Sequence, residues 1–466
     1  MEIITDFAVK DTYTYLHGFN NYHRSESIPD AIPPVNNSPQ KPPYGLRTER
    51  ISNASFVAPR EKNYQTWLYR VTTSMEAGTF SPLDDTRISE SANPPAPQNL
   101  APNSYMWGQI PLDDEADWLH QKLLGRNGNP QEKSGAAIWL FSVTRDMPRH
   151  TAFSSLDGET LIVPQAGSLD IQTELGRILV RQNEIAVIPR CVRYRVALRD
   201  GKPARGYICE LFEGHFQLPV LGIIGSTGLA NVRDFQVPVA SFDGELVDGK
   251  VVRSTGQGEV EWRIVSRLNG RLWACEQNHT PFDVVAWHGT CYPYKYDLAR
   301  FCALGNTRFD HHDPSLFTVL TAPAYGKPPG TAVLDFAIIP PRWQAAKDTL
   351  WIPYYHRNVM QEFFFPIISS QSPEYPFNDG GNQFAPFACG LHGSMATHGS
   401  PEHEFMEAST RDTSKPALLD DTGITVALLE TERPLLLSDW AYKLAYQNMN
   451  GQKKKKKNKK DKGSKL

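Results

Sequence analysis

Long apolar runs are missing: nowhere in the 466 residues do eighteen stand uninterrupted, so no membrane-spanning helix is expected and a membrane is not an expected partner. The N-terminal MEIITDFAVK has no basic stretch leading into an apolar one, which argues against secretion. Paired cysteines are missing too. Cys191, Cys209, Cys275, Cys291, Cys302 and Cys389 include no CxxC, and without a signal peptide reduced thiols are expected rather than disulfides. A P-loop, a GxGxxG after a strand and a GxSxG elbow are all absent, which leaves nucleotide-binding folds and serine hydrolases without support. No strong repeat of solenoid or propeller period is visible. Positive charge is short outside one segment. Residues 452–466 hold nine lysines and one aspartate, a charge of +8 that leaves −11 on the rest of a chain whose total is −3. An anionic body is a poor surface for a polyphosphate backbone, so nucleic acid is not an expected partner.

What is present is proline and a β rhythm. The length leaves room for two or three domains, and 40% hydrophobic with 21% charged residues is ordinary for a globular protein. Thirty-six scattered prolines suit a loop-rich β protein better than a helical bundle. Residues 20–65 are rich in Pro, Asn and Ser but embed Tyr44 and Phe56, with Trp67, Leu68 and Tyr69 just beyond, and so read as an extended segment packed against something. Residues 75–135 are the least patterned and read as loops or one short helix. From Ala137 the pattern sharpens. Ala137-Ile138-Trp139-Leu140-Phe141, Thr160-Leu161-Ile162-Val163, Leu169-Asp170-Ile171, Arg177-Ile178-Leu179-Val180 and Ile185-Ala186-Val187-Ile188 are short β-branched or aromatic runs separated by turn residues. Such spacing predicts an antiparallel sandwich or barrel rather than βαβ units. Later strands are expected at Arg205–Leu211, Leu316–Leu320, Ala332–Ile339 and Ile424–Leu429, and the chain reads as two β modules divided near residue 280.

One constellation carries chemistry. His356 and Glu362 lie six residues apart after Pro353 breaks any helix, and His392 and His398 lie six apart in a Gly-bounded segment. Alternate residues of a strand share a face, so an offset of six lets two ligands leave one strand on one side. Two imidazoles and one carboxylate are the ligand set of non-haem Fe(II) oxygenases, which keep positions open for substrate and dioxygen. The bland alternative is a hydrogen-bonded His–Glu pair on a surface. His288 ends the apolar run Val284-Val285-Ala286-Trp287 next to Gly289; it reads as an acid–base residue at a strand end or as a core histidine satisfied by backbone. His311 and His312 read as polar loop caps. The chain ends Ser464-Lys465-Leu466 after the lysines, a receptor-read peroxisomal address whose alternatives are a polylysine nuclear signal or a solvated disordered tail on a cytoplasmic protein.

These residues resemble one family, the homogentisate 1,2-dioxygenases. The matching segments include Gly18-Phe19-Asn20-Asn21, Pro43-Tyr44-Gly45-Leu46, Phe56-Val57-Ala58-Pro59-Arg60, Trp67-Leu68-Tyr69-Arg70, Leu161-Ile162-Val163-Pro164-Gln165, Gly228-Leu229-Ala230-Asn231, Pro281-Phe282-Asp283-Val284-Val285-Ala286-Trp287-His288-Gly289 and Pro340-Pro341-Arg342-Trp343, spread over residues 15–440. The resemblance implies an all-β protein with a large N-terminal β-sandwich domain (1–280), a C-terminal cupin-like jelly roll that binds the metal (281–446) and a disordered lysine-rich tail (447–466). It implies Fe(2+) held by His356, Glu362 and His398, with His288 as the base that takes the phenol proton. It also implies that His392, His398 and Tyr375 meet the substrate. The implied activity is opening of homogentisate or a related hydroquinone carboxylate by O2 to a maleylacetoacetate-type product, in aromatic amino acid and phenol catabolism. The implied assembly is a homohexamer, a dimer of trimers. The alternative is a cupin-like scaffold that binds a phenol, or assembles with partners, without turnover. After Glu362 the chain departs from the family pattern. Phe365 stands where the family keeps Gly, and Gln371 where it keeps a substrate-binding Tyr that Tyr375 is expected to replace. A phenyl ring beside the metal would reshape backbone or pocket.

Overall fold

The computed structural model describes residues 10–34, 41–83, 100, 103–110, 113, 115–253, 260–303, 311–369, 386–419 and 423–445. Tyr375, Gln371 and the lysine-rich tail with Ser464-Lys465-Leu466 lie outside the described residues. The described chain is built from β-strands, as the composition leads one to expect. Its two largest sheets have nine and seven strands, and four- and six-stranded sheets complete the frame.

The nine-stranded sheet shows why its strands read as nearly continuous apolar runs. The strand Ala204–Leu211 is buried along its whole length because its two faces meet different sheets. On one face Tyr207 lies against Phe363 and Phe365 of the six-stranded sheet, with ring centroids 5.2 and 4.5 Å apart. On the other face Glu210 accepts from Arg267 of the seven-stranded sheet at 3.2 Å and from Trp139 at 2.9 Å. A strand covered on both sides has no solvent-facing side, so even its charged residues, Arg205 and Glu210, are buried. One apolar core therefore runs through all three layers, from Ile171 and Val265 through Ile162 and Ile208 to Phe365 and Leu429.

Two expectations change here. The described part of the segment 75–135, read as loops or one short helix, contributes the strands Ser104–Trp107 and Lys122–Arg126. The division does not fall near residue 280. Val284–Gly289 pairs with Gln65–Arg70 and His23–Glu26, and Tyr294–Asp297 pairs with Glu184–Ile188, so both belong with the N-terminal sheets. The C-terminal sheet begins at Thr318–Pro323. The two units also exchange edges. Ser104–Trp107 closes the six-stranded sheet beside Cys389–His392, while Leu436–Leu437 closes the nine-stranded sheet beside Lys122–Arg126. All six cysteines are free.

Candidate metal centre

The strand Gln361–Ile368 lies between Thr425–Thr431 and Cys389–His392. Alternation places Phe363 and Phe365 toward Tyr207 and leaves Glu362 and Phe364 on the opposite face. Phe365, expected beside the metal, therefore fills the core between two sheets. The ring that shares the glutamate's face is Phe364, while Phe365 packs against Tyr207.

His356 precedes this strand instead of lying on it, so strand parity is not what aligns it with Glu362. A backbone bridge does so. His356 N–H donates to the His398 carbonyl at 3.0 Å and His398 N–H donates back at 3.1 Å, which sets the two imidazoles 4.1 Å apart. The flanking loops are stitched by Met395 N–H to Asn358 O at 2.8 Å and Ser394 Oγ to Val359 O at 2.7 Å. Met395 itself holds a φ of 60°, a left-handed conformation that a non-glycine residue keeps only where its surroundings hold it.

The three side chains converge: one ligand atom from each of His356, Glu362 and His398 lies within 4.8 Å of the others. Glu362 Oε1 faces His356 Nε2 at 3.4 Å, and its Oε2 faces His398 Nε2 at 3.0 Å. Each imidazole gives its other nitrogen to a carbonyl two residues upstream, His356 Nδ1 to Tyr354 O at 3.0 Å and His398 Nδ1 to Ala396 O at 2.9 Å. A carbonyl can only accept, so Nδ1 carries the proton and Nε2 is the atom turned to the site, as a metal-ligating histidine requires. Asn358 donates to Glu362 Oε1. Burial alone would raise the Glu362 carboxyl, but the hydrogen bonds from His356 and His398 hold it well below the usual carboxylate range. The same glutamate raises His356. The donor set and its anchored tautomers fit a divalent first-row metal held on one side with positions left open.

His392 joins this group. Its ring stacks on His398 at 4.0 Å with an 11° tilt, and Ser104 Oγ sits 2.7 Å from its Nδ1. Burial, and then His398, push its pKa down to about 4, so the ring is neutral in the metal-free chain. His288 does not join. It is buried on the four-stranded sheet, with Nε2 3.2 Å from Tyr69 Oη and Nδ1 without a partner. Among the described residues no hydrogen bond, ion pair or ring contact links it to His356, Glu362 or His398. His311 is a loop cap as read, bonding the carbonyls of His312 and Ile352. His312 instead stacks on His311 and is buried.

Sequence reading passed over Asn358, Ser104 and Glu430. Glu430 stands directly across the strand pair from Glu362, and Asp335 stands across from Glu430. Burial, then Glu362 and Asp335, raise the Glu430 carboxyl to about 8. Its ordinary value is 4.5, so between those two pH values the folded chain binds more protons than the unfolded one and stability falls as pH rises. Glu430→Gln is thus expected to stabilise the metal-free protein at pH 8 by about 1–2 kcal/mol and to do little at pH 4.5. Thermal melts of both chains at the two pH values check this; an equal shift at both would refute it.

Comparison with known proteins gives the same direction. Residues 14–298 match the family described as homogentisate 1,2-dioxygenase N-terminal, and residues 299–461 match its C-terminal counterpart. The homogentisate 1,2-dioxygenase of Emericella nidulans is 47% identical over 441 residues, 94% of this chain and 93% of that one. That of Caenorhabditis elegans is 41% identical over 447 residues, 94% of this chain and 95% of its own. A cupin 2 conserved barrel domain protein from Leptotrichia buccalis overlaps 70% of this chain and 91% of its own at 9% identity, with a TM-score of 0.23, too low to add to the strand order above. With both family halves matched end to end and the three candidate ligands brought to one point, the chain belongs to the homogentisate 1,2-dioxygenase family.

Proposed function

We propose that this protein is an Fe(II)-dependent dioxygenase that opens the ring of homogentisate with both atoms of O2 to give a maleylacetoacetate-type product. The observation that carries the proposal is the convergence of His356, Glu362 and His398 in a chain of this family. Iron, when bound, supplies simultaneous binding of phenolate and dioxygen, which overcomes the slow reaction of dioxygen with an aromatic ring. Glu362 contributes the one negative charge of the ligand set, and the carbonyls of Tyr354 and Ala396 keep both Nε2 atoms aimed at the metal. His392 offers Nε2 to a substrate oxygen, and Tyr375 is assigned a substrate contact from the family pattern. His288 takes the phenol proton in this reading. Burial, and then Arg24, lower its pKa, which keeps it neutral and able to accept. Because nothing in the described chain joins it to the metal residues, the role needs substrate to span the gap or a neighbouring copy to bring its own His288.

A homohexamer, a dimer of trimers, is part of the proposal. It is supported by the site's rim, where Tyr354, Tyr355, Val359 and Met395 are exposed beside the ligands, as apolar surface awaiting a partner would be. For location we propose the peroxisome, on the Ser-Lys-Leu motif alone. The test of the activity is anaerobic loading with Fe(II) followed by oxygen-electrode assay on homogentisate, gentisate and bulkier hydroquinones. Stoichiometric oxygen uptake is expected with homogentisate, and at least about tenfold slower uptake with gentisate, whose carboxylate is one carbon closer to the ring. No uptake with any phenol would leave a binding scaffold as the better account.

A further inference from the structure

We propose that Ser104 and Phe364 are positioning residues for His392. The phenyl ring and His398 fix the plane of its imidazole, and the serine hydroxyl fixes which edge of that ring meets an oxygen of the aromatic substrate. The inference rests on His392 being the substrate contact beside the metal centre.

The His392 ring is held between two others. His398 lies against one face at 4.0 Å, and Phe364 stacks with it at 4.7 Å with a 25° tilt. Phe364 can do this because Gly390 stands opposite it in the register. A Cβ at Gly390 would meet the Phe364 ring at 2.3 Å, a separation no side chain tolerates. The stack fixes the plane of the imidazole but not its edge. A half-turn of the ring about its bond to Cβ leaves both stacking faces in place and exchanges a nitrogen edge for a carbon edge. Only a directional bond can choose between the two, and the Ser104 hydroxyl, 2.7 Å from Nδ1, is the bond that does so. With Nδ1 engaged, Nε2 has no protein partner among the described residues, and the residue as a whole is only partly buried.

Ser104 reaches this place through an edge exchange. It belongs to the strand Ser104–Trp107, which lies between strands of the N-terminal sheets in sequence but pairs with Cys389–His392, setting Ser104 opposite His392. Its hydroxyl has no other partner among the described residues. A serine on the outermost strand with one hydrogen bond, to a histidine stacked on a candidate metal ligand, has little to do for the fold.

The test is anaerobic calorimetry with homogentisate on the metal-free and the Fe(II)-loaded chain, together with steady-state kinetics. Ser104→Ala is expected to raise the Kd and the KM about tenfold, to leave kcat within about twofold and to leave iron content unchanged. Ser104→Thr keeps the hydroxyl on a residue suited to a strand and is expected to restore both constants to within about twofold. Phe364→Leu is expected to raise the Kd about threefold through loss of the stack. A parent-like Kd in Ser104→Ala, or a Ser104→Thr as impaired as Ser104→Ala, would overturn the proposal. A parent chain that took up no iron would instead refute the metal centre, and the metal-free Kd comparison would still decide the part played by Ser104.

Discussion

Glu362→Gln is expected to leave the fold standing, to empty the proposed iron site and to lower kcat/KM by at least about a thousandfold, the several kcal/mol that a Lewis-acid metal contributes. The amide is isosteric with the carboxylate, so the strand Gln361–Ile368 keeps its packing against Thr425–Thr431 and Cys389–His392. What changes is charge and lone pairs. Glu362 presents one oxygen to each imidazole Nε2, whereas glutamine presents one oxygen and one NH2 that cannot ligate. The set then carries no negative charge to offset a divalent cation. Iron content by atomic absorption, read beside oxygen uptake and a thermal melt, separates the outcomes. A chain that keeps both iron and turnover would mean that the ligand is misassigned. Lost turnover with iron retained would confine Glu362 to a later role.

How far the site could be read from residues alone follows from which contacts are local. The ligand types were legible, because two histidines and a glutamate beside glycine-bounded loops are rare enough to notice. Their alignment was not. An offset of six suited one strand, or a strand and its following turn, but His356 is held by a bridge to His398, a partner 42 residues away, and no local pattern encodes such a pairing. The sidedness of the phenylalanines had the same fate. Phe363-Phe364-Phe365 reads as a uniform apolar run, and only the neighbouring Tyr207 decides that Phe365 belongs to the core. The strand rhythm from Ala137 onward survived nearly intact, since alternation and turn residues are properties of the segment itself. The division at residue 280 did not, because Val284–Gly289 is tied to strands more than 200 residues upstream. Ser104 lies in a stretch with no pattern and acquires its role only from the strand opposite.

That same strand, Val284–Gly289, is held by a buried charge network centred on Arg70, and breaking it should cost more stability than any other single change considered. Arg70 is fully buried. Its guanidinium bonds Asp283 Oδ1 at 3.0 Å through Nε, Glu49 Oε1 and Glu174 Oε1 at 3.1 Å through Nη1, and the Pro281 carbonyl at 3.0 Å through Nη2. Asp283 is itself fully buried and Glu174 nearly so. Burial would lower the Arg70 pKa, but Asp283, then Glu174 and Glu49, raise it, so the cation is held at every accessible pH. Arg70→Met fills most of the volume but strands two buried carboxylates, at a cost of about 3–5 kcal/mol. Burial already raises the Glu174 carboxyl against the pull of Arg70, and without the cation it rises further. The deficit should therefore be largest at pH 8 and shrink as the pH falls and Glu174 takes up a proton. Arg70→Lys keeps a charge but not the fork that reaches three acids, so an intermediate loss is expected. Chemical denaturation of the three chains at pH 5 and pH 8 provides the check, and a loss below about 1 kcal/mol in Arg70→Met would show the network to be incidental. The consequence reaches His288, whose one hydrogen bond among the described residues is to Tyr69, the residue before Arg70. Loosening Asp283 and Arg70 together frees both sides of that contact. Arg70→Met chains that remain folded at low temperature should accordingly lose turnover while still binding iron, because His356, Glu362 and His398 belong to a different sheet or its adjoining loops.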